Sequence, residues 1–186
     1  MKLTKQDYRY LYQLTQNVTP LDQDCGLLCR SICCQPDSKN SLGVYLYPGE
    51  ESLFQESSSW YCRENQDPQQ YGFPTNWTDP VYFIKCQGSC PREARPLACR
   101  FFPLTPHLLT DGTLLLIHET IPLPYKCPLL HDKITLRDDF IESVATAWQV
   151  LIRDPRIYRL IEEDSEERET SWTGIPTILW NADKSC

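Results

Sequence analysis

Leu108-Leu109-Thr110-Asp111-Gly112-Thr113-Leu114-Leu115-Leu116-Ile117 sets two apolar runs on either side of an Asp-Gly pair. Asp-Gly tolerates the backbone of a tight turn and the flanking runs suit paired strands, so this stretch predicts a β-hairpin, closed by Pro122 and Pro124. On its N-terminal side, Thr4 with Asp7 three residues later is a capping-box-like start. Tyr8, Leu11 and Tyr12 then recur at helical spacing, and this helix is expected to end near Asn17, before Pro20. On the C-terminal side, Thr135 and Asp138 form another such pair. Leu136, Phe140, Ile141, Val144, Trp148, Leu151 and Ile152 follow as one apolar helical stripe. Asp154-Pro155 stops that helix and starts the next, which buries Ile157, Leu160 and Ile161 and presents the acidic run 162–169 to solvent. Helices at both ends with a hairpin between them predict an α+β fold, a helix-rich single domain over 1–186 with a small β-hairpin. Within it, 25–103 is a cysteine-cluster motif region and 104–165 holds the hairpin and C-terminal helices.

Between the first helix and the hairpin the pattern is less regular. Asp22 or Asp24 can cap a short helix, and Leu42-Gly43-Val44-Tyr45-Leu46 reads as a short strand. Pro48-Gly49-Glu50-Glu51 reads as a turn into a helix, since acidic residues suit a helix N-terminus. Residues 56–80, rich in Ser, Gln, Asn, Asp and Pro, are expected as a long ordered loop packed by Trp60, Tyr61, Tyr71, Phe73 and Trp77.

The 186 residues are 41% hydrophobic and 23% charged, enough to bury one core. Lys and Arg number 18 against 25 Asp and Glu, a net charge of −7. That argues against an electrostatic grip on nucleic acid or an anionic membrane. The longest apolar run, 114–117, is far too short to span a bilayer. The start, Met1-Lys2-Leu3-Thr4-Lys5, turns polar at once and lacks the apolar stretch of a secretion signal, so a cytoplasmic protein is expected.

Ten cysteines is the excess that needs explaining: 25, 29, 33, 34, 62, 86, 90, 99, 127 and 186. In a reducing compartment they stay thiols, although an even count also allows five disulfides in an oxidising one. Packing as small hydrophobes accounts for Cys62, Cys127 and Cys186 one at a time. Of these, Cys127, bracketed by Pro124 and Pro128, is the first to consider as an extra ligand. Packing does not account for four thiols in residues 25–34, whereas chelation of a soft metal does. No Cys-x-x-Cys occurs, which removes the thioredoxin motif and the usual zinc knuckle.

On a straight helix Cys25, Cys29 and Cys33 would fall within an arc of about 80°, with Cys34 about 180° from Cys25. They would also span about 12 Å of rise. Sulfurs around one zinc lie only about 3.8 Å apart, given a bond near 2.3 Å. Either the segment bends, with Gly26 the obvious place, or the thiols serve two sites or a polynuclear cluster. Pro36 is consistent with a helix end after Cys34. In the second group, Gly88 and Pro91 make Cys86–Cys90 a tight turn, and Leu97-Ala98-Cys99 suits a helical turn ended by Pro103. Arg92, Arg95 and Arg100 would favour thiolates there, or else lie at the surface or pair with Glu93. His107, His118 and His131 are expected at the surface.

Cys25-x3-Cys29-x3-Cys33-Cys34, Cys86-x3-Cys90 and Arg95-Pro96-Leu97-Ala98-Cys99-Arg100-Phe101-Phe102-Pro103 resemble a known family. It is the cysteine-cluster family of zinc- or iron-chelating proteins, distantly similar to flagellin lysine methylase. In that family a leading cysteine group ends in a Cys-Cys pair. A short strand and an acidic helix start follow, here Leu46-Tyr47-Pro48-Gly49-Glu50-Glu51. A closing phrase R-P-x-x-C-R-x-x-P is matched by residues 95–103 at every fixed position. The likeness covers about 25–103, and it departs in having x3, x3 where x2, x2 is more frequent and in a shorter Cys86–Cys90 span. It implies a metal site but no particular reaction.

These readings lead to a cytosolic metal-binding protein whose ligands Cys25, Cys29, Cys33, Cys34, Cys86, Cys90 and Cys99 join in one thiolate centre around which the fold is built. The cofactor is zinc or iron, an Fe–S cluster included, since seven sulfurs exceed the four one zinc takes. An iron–sulfur-dependent enzyme of methyltransferase or redox type is the alternative. No nucleotide-phosphate loop or nucleophile triad accompanies the cysteines. A third class is an interaction module or metallochaperone docking through its acidic surface and the aromatic loop. The expected partner is a metal ion, with no nucleic acid and no membrane.

Overall fold

The computed structural model describes residues 1–35, 42–88, 90–132, 134–172 and 176–182. Pro36 and Cys186, read above, lie outside the described residues. In chain order the elements are α1 (Lys5–Leu14), α2 (Gly26–Cys29), a 3₁₀ turn (Ile32–Cys34), β1 (Gly43–Tyr45), a 3₁₀ turn (Glu50–Leu53), β2 (Ser57–Ser58), β3 (Tyr61–Gln66) and β4 (Val81–Cys86). They continue as α3 (Leu97–Phe101), β5 (Leu104–Leu108), β6 (Leu114–His118), α4 (Pro128–His131), α5 (Asp138–Leu151), α6 (Pro155–Ser171) and β7 (Ile178–Asn181). Helices and antiparallel sheets together make the fold α+β.

The strongest local signals produce the elements they predict. The Thr4 hydroxyl accepts from the Asp7 amide while the Asp7 carboxylate accepts from the Thr4 amide at 2.7 Å, closing a capping box at α1. The helix stops at Leu14, short of Asn17, with Thr15 as its C-cap, whose amide and hydroxyl both bond the Leu11 carbonyl, at 3.1 and 2.8 Å. The hairpin forms as β5 and β6. Asp154 caps α6 with Pro155 at its first position. At α5 the cap is Arg137 rather than Thr135, and its guanidinium binds Asp139 and Asp22.

The single small hairpin is an underestimate. One sheet has four antiparallel strands in the order β1-β4-β3-β2, and the other has three in the order β5-β6-β7. Segment 56–80 is therefore not a loop throughout: it holds β2 and β3. β3 reads Tyr-Cys-Arg-Glu-Asn-Gln with only Tyr61 buried, so it has no apolar alternation to betray it. Its pairing with β4 across six registered positions holds it instead. Trp60 and Trp77 are buried as expected, whereas Tyr71 is half exposed.

The main core gathers Tyr8 and Leu11 of α1, Leu97 and Phe101 of α3, the hairpin leucines, and the inner faces of α5 and α6. A second cluster, Leu46, Trp60, Tyr61 and Ile84, sits on the four-stranded sheet. The acidic run of α6 is interrupted inward by Ser165 and Arg168. Arg168 meets His107, which is buried (1% exposed) with its ring against Trp172, contrary to the surface position expected. The strand alternation of β5 turns that histidine under α6. Among the described residues no helix is long and apolar enough to cross a membrane.

Gly43 lets β1 approach β4. A Cβ there would lie 2.2 Å from the Phe83 ring and 2.5 Å from the Ile84 carbonyl oxygen, whereas one at Gly88 would meet nothing within 4 Å. Gly43→Ala is expected to cost about 1–3 kcal/mol in urea unfolding, and Gly88→Ala to stay within about 0.5 kcal/mol of the parent. Equal effects would contradict the close approach. Asp154, fully buried, accepts from Arg156 Nε at 3.0 Å and Nη2 at 2.8 Å. Burial opposes its ionisation, but Arg156 outweighs burial and holds the carboxyl below the usual carboxylate range. Its folded value is depressed, so the stability it supplies is present above about pH 3.9 and lost as pH falls through the folded value. Asp154→Asn should cost on the order of 2 kcal/mol at neutral pH. That difference should shrink in acid, and a pH-independent difference would refute the assignment.

Candidate metal centre

Nine described cysteines are free thiols. They sort by position into two groups and one outlier. Cys34 stands on the 3₁₀ turn after α2, Cys86 is the last residue of β4, Cys90 follows in the loop, and Cys99 is on α3. In every pairing of these four, one thiol is close enough to raise the cost of ionising the other. Cys25 and Cys29, at either end of α2, stand in the same relation to each other and to Cys127. Cys33 joins the groups, its sulfur 3.8 Å from that of Cys34 while it lines the cavity shared by Cys25, Cys29 and Cys127. Cys62 stands apart, paired in register with Lys85 while Cys86 faces Tyr61.

The segment carrying the first group bends, but not at Gly26. α2 ends at Cys29, and Arg30 and Ser31 both adopt left-handed backbone, with φ of 55° and 56°. The Ser31 amide closes back on the Gly26 carbonyl at 2.9 Å. Gly26 serves this closure, since a Cβ there would lie 2.5 Å from Ser31 Oγ. The reversal sends Cys33 and Cys34 away from the line of Cys25 and Cys29, which a continuous helix could not do.

The ligand-bearing loops are held by charged groups rather than by apolar packing alone. Asp24 accepts from the Gly26 amide at 2.8 Å and from Arg95 Nη2 at 3.0 Å. Burial works against the Asp24 carboxylate, but that amide and Arg95 hold it below its ordinary value. Arg95 also reaches the Cys90 thiol, and its buried Nε has no hydrogen-bond partner among the described residues. Arg100 is not a surface residue. It is 3% exposed, lies over the Tyr12 ring, and donates to the carbonyls of Tyr12, Glu93 and Arg95 and to Thr15 Oγ1. Arg92 donates to the Val18 carbonyl.

Glu50 is the functional support that sequence reading missed. Its side chain is fully buried and accepts from the Tyr12 hydroxyl at 2.7 Å and from the amides of Tyr47 and Leu97 at 2.9 Å each. Burial pushes its pKa up, and those three donors with nearby Arg100 oppose the rise. The Leu97 amide is the first of α3, so Glu50 fixes where Cys99 stands. The only sequence signal was an acidic residue after Pro48-Gly49, read as a generic helix start.

Six of the thiols, Cys25, Cys34, Cys86, Cys90, Cys99 and Cys127, are biased toward their protonated form. Burial takes Cys25 and Cys86 up to about 11. Cys34 is raised first by its side-chain interaction with Cys33, and Cys90 first by that with Cys34. Cys99, crowded by protein and the other three sulfurs yet open to solvent, is raised too. Burial raises Cys127, opposed by the amides of Leu129 and Leu130. Sulfurs that cannot ionise beside one another are the donor set a soft cation relieves, since it displaces the protons and cancels the repulsion. The side chains do not stand at coordination distance: among the described residues no three His, Cys, Asp or Glu side chains are gathered as an ion requires. The donor chemistry and the unpartnered Arg95 Nε fit a negatively charged thiolate centre, which would draw the thiols inward.

The chain matches no protein-family model, no curated protein and no solved structure.

Glu50→Ala leaves three buried donors unsatisfied and should lower stability by about 3 kcal/mol or more in chemical denaturation. Glu50→Gln, which keeps an acceptor oxygen, should lose less. A neutral Glu50→Ala would show that α3 is not held from this carboxylate.

Proposed function

We propose that this is a cytosolic metal-binding protein that holds zinc or iron through cysteine thiolates, with Cys34, Cys86, Cys90 and Cys99 as the principal ligand set. The observation that carries this reading is the mutual proximity of four thiols drawn from four separate segments, with Arg95 beside them. Four thiolates with a divalent ion form a net dianion, and a buried guanidinium with an unused Nε–H suits that charge. The phrase 95–103 supports it from another side, because its Arg100 and Pro96 build the helix that presents Cys99. The free state of all nine described cysteines accords with a reducing compartment.

In this reading the residues divide the work. The four cysteines supply sulfur, Arg95 offsets charge, Asp24 orients Arg95, and Glu50 and Arg100 hold α3 in place. When bound, the metal supplies cross-linking between the 3₁₀ turn, β4 and α3, so its binding energy is partly folding energy. A redox-active iron–sulfur protein is the second reading, favoured by the exposure of Cys33 and Cys99, which leaves sulfur ligands accessible to a partner.

Protein purified without oxygen should carry at least about 0.8 metal ion per chain by elemental analysis. Stripping it should cost about 3 kcal/mol or more of stability. A colourless zinc protein supports the first reading, and a brown protein that bleaches on reduction supports the second. Metal-free protein with unchanged melting behaviour refutes both.

A further inference from the structure

The sulfurs of Cys25, Cys29 and Cys127 are not explained by the principal set. Cys25 and Cys29 lie one helical turn apart, so both can present sulfur to one side. Cys127 lines the same cavity, anchored where Pro128 begins α4. It is 6% exposed and belongs to the main core, and Cys25 packs against that core. Core packing asks for one small apolar group at position 127; it does not ask for two more thiols in the same cavity. Asp24, Cys33 and Cys34 line the cavity too. Asp24 is already committed to Arg95 and the Gly26 amide and Cys34 to Cys90, whereas among the described residues the Cys33 sulfur has Cys34 as its one hydrogen-bonding neighbour.

We propose that Cys25, Cys29 and Cys127 form a second soft-metal site, with Cys33 as its fourth sulfur, distinct from the set made by Cys34, Cys86, Cys90 and Cys99. It rests on the reading that clustered thiols here take a soft cation, but on different residues. Each thiol gives up its proton to solvent as it ligates, and no electron is transferred. The break at Arg30–Ser31 takes Cys33 and Cys34 out of the helix that carries Cys25 and Cys29; both line the cavity, and the Cys34 thiol interacts with Cys90 while its sulfur stays 3.8 Å from that of Cys33. The C-terminal part of the chain, through Cys127, thereby becomes a contributor to metal binding.

The test is native mass spectrometry of the full chain, reduced, stripped and titrated with zinc in the absence of oxygen, with far-UV circular dichroism on each variant. Wild type should take two ions. Cys29→Ser, Cys127→Ser and Cys86→Ser should each retain one, and the double variant Cys29→Ser/Cys86→Ser none. Cys29 is only partly buried, so its variant carries the test if Cys127→Ser does not fold. One ion in the wild type, lost in Cys86→Ser and kept in Cys29→Ser, overturns the second site and leaves the principal one standing. One ion lost by either variant points to a single shared centre and also overturns it. No zinc bound by wild type overturns the thiolate reading altogether.

Discussion

A buried carboxylate with no cation directly against it organises this molecule. Glu50 accepts from α1 through Tyr12, from its own turn through the Tyr47 amide, and from α3 through the Leu97 amide. Removing such a group from water is costly unless its lone pairs are filled, and here three donors from three segments fill them. Arg100 works from the other side of Tyr12, joining the end of α1 to the 93–95 turn. Among the described residues no direct ion pair joins the two side chains, yet between them they make α1, the 47–50 turn and α3 one body. The position of Cys99 beside the other sulfurs depends on that body holding together.

The second constraint is the reversal at Arg30 and Ser31. Left-handed backbone at non-glycine residues costs about 1–2 kcal/mol each, so the fold must recover that elsewhere. The Ser31–Gly26 closure and the Asp24–Arg95 pair lie on either side of it. Around the reversal, eight cysteines close in sequence or space fall into two sets joined through the neighbouring sulfurs of Cys33 and Cys34. A regular helix would have strung the first three along about 12 Å, too far for one ion and too dispersed for two.

Much of the fold was legible because some residues signal through local chemistry. Thr4 with Asp7, Asp154 with Pro155 and Asp-Gly in the hairpin each satisfy or orient nearby backbone, and each appears where the sequence indicates. β3 and β7 were not legible, since their order comes from partners distant along the chain and their own residues lack alternation. The bend was misplaced at Gly26 because glycine advertises flexibility, while Arg30 and Ser31 adopt their conformation under tertiary constraint. At the candidate site, which residues carry sulfur was plain from the start. How they sort was not, since grouping depends on a turn and a sheet register that spacing does not encode. Glu50 was missed for a related reason: a carboxylate earns attention when it has a charged partner, and this one has only neutral donors.

The order of synthesis gives the grouping a further meaning. Cys34 leaves the ribosome well before Cys86, Cys90 and Cys99, and Cys25 and Cys29 precede Cys127 by still more chain. Neither set exists as a set in the nascent polypeptide until α3, and then α4, have emerged and docked. For most of its translation the chain carries thiols with no assembled neighbours, so oxidation before those helices dock would lower how much native protein is made.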